Sequence, residues 1–243
     1  MIDAPRLVDS AAVPDSEGTL RLLRHGRDLV ICVDDRELMR SSVHGSEDAL
    51  GQLACERLDD LWSPRILIGG LGMGFTLAAT LRGLGPDARV VVAELVPTVV
   101  RWNRGLLGEV AGHPLADARV SVHEGDVAEL IREPPAVTSC AVWDAILLDV
   151  DNGPVGLTRA TNDGLYTSAG LEAAFRALKP RGVLAIWSAA PDRAFTRRLA
   201  RAGFEVESVD LRSRGQRGGH RHVVWLGTRQ QVGPRWLAGW DRK

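Results

Sequence analysis

Residues 66–77 read ILIGGLGMGFTL. Three apolar residues run into a cluster of glycines, and a segment of helical character follows. Gly70, Gly72 and Gly74 have the spacing G-x-G-x-G. Glycine admits positive φ and lets a ligand approach the backbone. Such a loop, at the carboxyl end of a first strand, is the usual ligand crevice of an open α/β sheet. A plain tight turn uses the same residues, so the motif alone fits either reading. What the loop holds, and why Met73 stands in its middle, has to come from the rest of the chain.

Outward from the loop, apolar strands alternate with amphipathic segments. Strands are expected at residues 65–69, 89–94, 119–124, 143–149 and 182–188, with helices beginning near Met73, Pro97, Asp126, Ser168 and Pro191. Continuous apolar strands between helices mean a parallel sheet covered on both faces. Two final strands, 204–213 and 220–228, are joined by Gly-Gln-Arg-Gly-Gly with no helix between them, so they make an antiparallel hairpin. The expected fold is α/β: a doubly wound, mostly parallel, seven-stranded sheet of the class I methyltransferase type. Residues 19–45 alternate around a His25-Gly26-Arg27-Asp28 break and predict a small N-terminal β-hairpin cap. Residues 1–18 read as a flexible leader, 46–228 as the main domain and 229–243 as a tail. Ser46 reads as the N-cap of a helix running to about Trp62.

Glu94 ends the second strand, 20 residues after Gly74. An acidic residue at that distance can accept hydrogen bonds from the two hydroxyls of an adenosine ribose. A dinucleotide loop needs a small residue at position 75 for close helix packing, and Phe75 stands there. A methionine-derived adenosyl cofactor carries no pyrophosphate and makes no such demand, so it is favoured over NAD. Asp126, in His-Glu-Gly-Asp-Val, can take the adenine amino group while the Val127 N–H meets a ring nitrogen. The same Asp126 suits the N-cap of the next helix.

The fourth strand ends in Asp149-Val-Asp151-Asn152-Gly-Pro. Carboxylates at i and i+2 of an extended segment point to one side. There Asp149 and Asp151 can orient an amine nucleophile and accept its proton. An Asx-turn ending the strand is the competing reading.

Together these stretches (ILIGGLGMGFTL, VVVAELVPTVVRWN, HEGDV, WDAILLDVDNGP and LYTSAGLEAAFRALKPRGVLAIWS) resemble the spermidine synthase family over roughly residues 20–190. The resemblance implies a β cap on a methyltransferase-like domain. It also implies an adenosyl-sulfonium held at Gly70, Leu71, Gly72, Met73, Gly74, Glu94, Leu95, Asp126 and Val127. It places Asp149 at the reacting centre and implies a homodimer. The segment holding His44 and Glu47 corresponds to the border of that family's substrate pocket, and Tyr166 lies in the loop after the fourth strand. The chain departs from the pattern in three places. The first loop's usual aspartate, which holds the amine of decarboxylated AdoMet, is read here as Met73. The second carboxylate after the fourth strand is read as Asn152, with Asp151 as a substitute. The tyrosine-histidine-glutamate signature is Gly45-Ser46-Glu47, and the cap's usual glutamine falls near Met39.

Without a loop carboxylate to meet a free aminopropyl group, the favoured reading is methyl transfer from S-adenosylmethionine to a small amine-type or other small acceptor. Aminopropyl transfer from decarboxylated AdoMet to a polyamine is the alternative, and a non-catalytic cofactor-binding protein is a third. Lys and Arg number 30 against 31 Asp and Glu, so no global charge points to nucleic acid or membrane. Cys32, Cys55 and Cys140 are odd in number with no metal-ligand spacing, and read as reduced thiols of a cytoplasmic protein. The basic stretch 212–221 reads as a solvated hairpin tip, with His220 and His222 sharing an exposed face.

Overall fold

The computed structural model describes residues 4–14, 17–58, 62–133, 142–150, 153, 163–215 and 218–230. Its larger sheet contains β5 (Arg65–Gly69), β6 (Arg89–Glu94), β7 (Val120–Glu124), β8 (Trp143–Leu148), β9 (Leu178–Ser188), β10 (Phe204–Arg212) and β11 (Arg221–Arg229). These lie in the order β10-β11-β9-β8-β5-β6-β7. Parallel pairing runs from β9 through β8, β5 and β6 to β7, whereas β11 is antiparallel to both β9 and β10. This is the expected doubly wound, mostly parallel seven-stranded sheet.

The centre of the sheet shows why its strands are apolar throughout. Ile66, Ile68, Ala145 and Leu147 enter one hydrophobic core, and Leu67, Ile146 and Leu148 enter the other. Successive side chains of a strand point to opposite faces, and here both faces are covered. The chain leaves β5 toward β6 and β7, then returns to β8 on the other side of β5. The reversal opens a crevice at the carboxyl ends of β5 and β8. Facing it are the starts of α2 (Phe75–Arg82), α3 (Pro97–Arg104) and α5 (Val127–Arg132), and helices α4 (Leu106–Ala111), α6 (Asp163–Tyr166), α7 (Ser168–Ala177) and α8 (Arg193–Arg201) complete the layers.

The cap is larger than a hairpin. It is a four-stranded antiparallel sheet of β1 (Arg6–Ala12), β2 (Thr19–His25), β3 (Asp28–Val33) and β4 (Arg36–Arg40). Residues 6–12, expected in a flexible leader, pair along β2 instead. Nearly every residue of β1 is exposed, so the strand lacks the alternation that would reveal it. Asp9 accepts a 2.7 Å hydrogen bond from Trp102 Nε1 and ties the strand to α3.

The helix between cap and main sheet, α1 (Gly45–Cys55), also differs from expectation. It ends at Cys55 rather than near Trp62, and the residue before its first turn is His44, which offers no side-chain cap. Ser46 is not the N-cap. It lies inside the first turn, fully buried, with its hydroxyl directed sideways to Glu47 and His222.

Candidate functional site

A cavity of about 740 Å³ lies between the carboxyl ends of the central strands and the cap. Its floor comes from Gly70, Gly72, Glu94, Leu95, Asp126, Val127 and Asp149. Its roof comes from Ile31 and Met39 of the cap and from Arg214, His220 and His222 of the β10–β11 hairpin.

The glycine loop is built from two alternating sets of residues. Gly70, Gly72 and Gly74 have φ of +88°, +51° and +85°. Leu71, Met73 and Phe75, between and after them, are buried in the core. At Gly70 the loop packs backbone to backbone against the end of β8, where any Cβ would collide with the Asp149 carbonyl. Gly74 precedes α2 and provides its left-handed entry. Gly72 is the loop residue that faces the roof, and a Cβ there would meet the Met39 sulfur at 2.7 Å. Met73 therefore does not stand where a cavity-facing aspartate would. Its side chain is fully buried, and the loop positions that line the cavity are Gly70 and Gly72. Leu71 likewise contributes its backbone, donating its N–H to Glu94 Oε2 at 3.0 Å.

Glu94 is held from two sides. Oε2 takes the Leu71 N–H, and Oε1 takes the Val96 N–H at 2.9 Å. Burial raises its pKa, and these backbone donors pull the other way. The Gly72 and Leu95 N–H groups add to this hold. Asp126 is the N-cap expected of its position, Oδ1 accepting the Ala128 N–H at 2.8 Å at the start of α5, and the residue also lines the cavity.

Two carboxylates meet at the crevice. Asp149 follows β8, its N–H bonded to the Gly69 carbonyl, and Oδ2 accepts from Thr76 Oγ1 at 2.5 Å. Burial raises its pKa to about 6, against the Thr76 hydrogen bond. Glu47 enters from α1. Burial, and then the charge of Asp149, push its pKa up to about 7. Thr76 also reaches the Glu47 carbonyl, 3.3 Å away, and so joins α1, α2 and the end of β8. Two groups that titrate near neutrality at one wall can hold a proton between them and release it.

Other expectations need correcting. His44 does not line the cavity. Its ring stacks on Phe75 at 4.0 Å, and its Nδ1 lies 2.6 Å from Asp48, which makes it part of the helix-start packing. Tyr166 is buried in the second core, and its hydroxyl donates to the Val150 carbonyl, supporting the backbone beside Asp149 rather than reaching a ligand. The hairpin 212–221 is not a free tip. Ser213 accepts the Gly45 N–H at 2.9 Å, and a Cβ on Gly45 would lie 2.5 Å from the Gly215 nitrogen. His222 is accordingly turned to Ser46 and the cavity. Asp151 and Asn152 lie outside the described residues. Thr76 and His222 carry no sequence signal of a role, and Ser46 reads only as a helix cap within the signature segment, because their partners are brought to them only by the tertiary fold.

No family model and no curated protein matches the chain. Many solved structures share its fold, three of which follow. One is a spermidine synthase in complex with the transition state analogue AdoDATO, at 16% identity over 98% of this chain and 79% of that one, with a TM-score of 0.71. Another is spermidine synthase from Thermotoga maritima, at 17% identity over the same shares, with a TM-score of 0.72. The third is the O-methyltransferase TomG from Streptomyces achromogenes in complex with SAM, at 19% identity over 75% of this chain and 79% of that one, with a TM-score of 0.51. The wider coverage of the first two takes in the cap, so the likeness in fold extends over the cap as well as the main sheet.

Proposed function

We propose that the chain is a group-transfer enzyme with an adenosyl-sulfonium cofactor and a small amine-type acceptor. The observation that carries this reading is the meeting of Glu47 and Asp149 at a cavity whose floor also holds the glycine loop and Glu94. The residues fit such a cofactor. Glu94, fixed by backbone donors, is the acidic residue of the floor and suits a ribose diol, Asp126 and Val127 line the cavity and suit an adenine edge, and Gly72 leaves the loop open. The volume suits a cofactor with a small acceptor beside it.

When bound, the cofactor supplies an electrophilic carbon on sulfur: a bond from the acceptor to that carbon forms, and the carbon–sulfur bond breaks with its electron pair left on sulfur. The protein's part is to hold and deprotonate the acceptor. Asp149 orients the amine and accepts its proton, and Glu47 completes the acidic seat. Thr76 keeps the Asp149 carboxylate aimed.

Methyl transfer from AdoMet is the favoured chemistry, because the loop residues that line the cavity, Gly70 and Gly72, offer no carboxylate for a free aminopropyl ammonium. Aminopropyl transfer from decarboxylated AdoMet is the second reading, favoured by the likeness to spermidine synthases across the whole chain, cap included. The partner is then a small molecule, neither nucleic acid nor membrane. Among the described residues, no helix is long and apolar enough to cross a membrane. A homodimer is part of the same proposal and is checked by sedimentation. Calorimetry with AdoMet and decarboxylated AdoMet, followed by mass analysis of products from a panel of amines, decides between the readings. Tighter AdoMet binding with methylated product supports the first. Preference for decarboxylated AdoMet with an aminopropylated diamine overturns it in favour of the second, and binding of neither removes both.

A further inference from the structure

Ser46 carries one hydroxyl proton and stands between two partners. Its Oγ lies 2.6 Å from Glu47 Oε2 and 2.8 Å from His222 Nδ1. One hydroxyl cannot donate to both. Either Ser46 donates to an ionised Glu47 and accepts from a protonated Nδ1, or a protonated Glu47 donates to Ser46, which donates to a bare Nδ1. The two arrangements differ by two short proton hops along one line. Ser46 is fully shielded from solvent. The His222 ring is set by Trp187, which packs edge-on at 4.7 Å.

We propose that His222 is a positioning residue that, through Ser46, takes up the proton held by Glu47, so that the acid pair drains toward the β10–β11 hairpin. This rests on the reading of Glu47 and Asp149 as the seat of an amine. As the acceptor nitrogen bonds to carbon, its proton passes to the Glu47–Asp149 pair. The proton on Glu47 then moves to Ser46 Oγ while the Ser46 proton moves to His222 Nδ1. Glu47 ends as a carboxylate, Ser46 as a hydroxyl donating to it, and His222 as an imidazolium. The imidazolium gives its Nε2 proton to water in the cavity it lines, which leaves the Nδ1–H tautomer, and the ring exchanges this for Nε2–H through that water before it accepts again. Nothing is oxidised or reduced, and total charge is conserved at each hop.

The surroundings suit a transient cation better than a permanent one. Burial and the neighbouring His220 lower the His222 pKa, so the ring sheds the proton it receives. The charged groups around the line are Asp149 from the end of β8 and Asp48 from α1 beside Glu47, with His220 and Arg214 of the hairpin on the His222 side.

The test is 15N NMR of the His222 ring in the protein without ligands, so it does not depend on the transfer reading. At pH 9, where Glu47 is ionised, wild type is expected in the Nδ1–H tautomer. Glu47→Gln, whose amide donates to Ser46, is expected to switch the ring to Nε2–H. With Ser46→Ala the tautomer no longer responds to Glu47→Gln, and Ser46→Thr restores the response. In the transfer assay, Ser46→Ala lowers kcat on the order of tenfold, below the range of a primary acid or base. Its cofactor affinity by calorimetry is expected to be unchanged. A tautomer that ignores Glu47→Gln, or responds equally with Ser46→Ala, overturns the proposal. So does an unchanged kcat, which leaves the transfer reading standing.

Discussion

The two walls of the cavity come from different kinds of sequence. The floor is the carboxyl ends of β5, β6 and β8, strands buried on both faces at the centre of the large sheet. The roof is β3, β4 and the β10–β11 hairpin, antiparallel segments of mixed exposure, the hairpin being tied to the start of α1. Strand burial alone fixes where floor residues such as Glu94 and Asp149 must lie. The place of a roof residue such as His222 is decided by contacts 176 positions away in the chain. The floor is thus expected to hold the cofactor and the reacting centre, and the roof to set what the site accepts and how protons leave.

The sharpest break of this division is at Met73, which belongs to neither wall. Its side chain is fully buried in the core, so Met73→Asp places a carboxylate in an apolar setting. The expected loss is at least the ~2–5 kcal/mol of a large-to-small core truncation, because burying the charge adds to it. Met73→Leu, a volume-conserving change, is expected to cost under about 1.5 kcal/mol. Urea unfolding midpoints separate the two. A well-folded Met73→Asp protein with altered cofactor preference would return the residue to the cavity.

Asp149→Asn tests the floor's chemistry. It keeps the shape and an oxygen for Thr76 but removes the base, so kcat is expected to fall by about 10²–10⁴ with cofactor affinity retained. The same carboxylates give the wild type a pH dependence. Glu47 and Asp149 have folded pKa values of about 7 and about 6, raised from 4.5 and 3.8. The folded state then binds protons more tightly than the unfolded one. Their stabilising contribution is full below about pH 4 and is lost as pH rises toward 7, while activity rises over pH 6–7 as the base ionises. Unfolding free energies and kcat measured from pH 4 to 8 are expected to run in opposite directions. A kcat that is flat between pH 5 and 8 would remove the base role.

What the residues disclosed follows the same line. The β5–α2 turn, Glu94, the Asp126 cap and Asp149 were legible because periodicity and turn chemistry are local. β1 was not, since an exposed edge strand shows no apolar face. Met73 misled because sequence order does not say which loop residues turn inward. The alternation of positive-φ glycines with core residues Leu71, Met73 and Phe75 does. His44 and Tyr166 carry polar groups near the site in sequence, yet packing uses them elsewhere.

Glu94→Gln probes the floor's hold on the cofactor. The amide preserves the outline of the side chain and one acceptor oxygen, so it keeps one of the two backbone ties, to Leu71 or to Val96, and turns its NH2 to the other. The ribose loses its charged acceptor, a difference of about 1.5–3 kcal/mol. That corresponds to roughly 10–100-fold weaker binding. Calorimetry on the folded variant reads this directly, and affinity within twofold of wild type would show that Glu94 only ties the loop to β6.

The smallest effect is the one that joins floor to roof. Gly72 faces Met39 across the cavity, and its φ of +51° is one that aspartate tolerates better than most residues. The Met39 thioether, the end of a flexible side chain, can give way. Gly72→Asp therefore adds a cavity-facing carboxylate to the loop without breaking the core, which Met73→Asp cannot do. Like charges ~4 Å apart cost about 4 kcal/mol at an effective dielectric of 20, and a tenfold change in affinity needs only about 1.4 kcal/mol. If intact AdoMet lies along this loop, its carboxylate meets the new one, and Gly72→Asp binds it about tenfold more weakly. Decarboxylated AdoMet, with an ammonium and no carboxylate, is expected to bind as well as before or better. General damage lowers both affinities together, so only their ratio matters. A ratio unchanged by Gly72→Asp would place the amino-acid arm of the cofactor away from the loop, and with it would go the argument that an uncharged loop favours methyl over aminopropyl transfer.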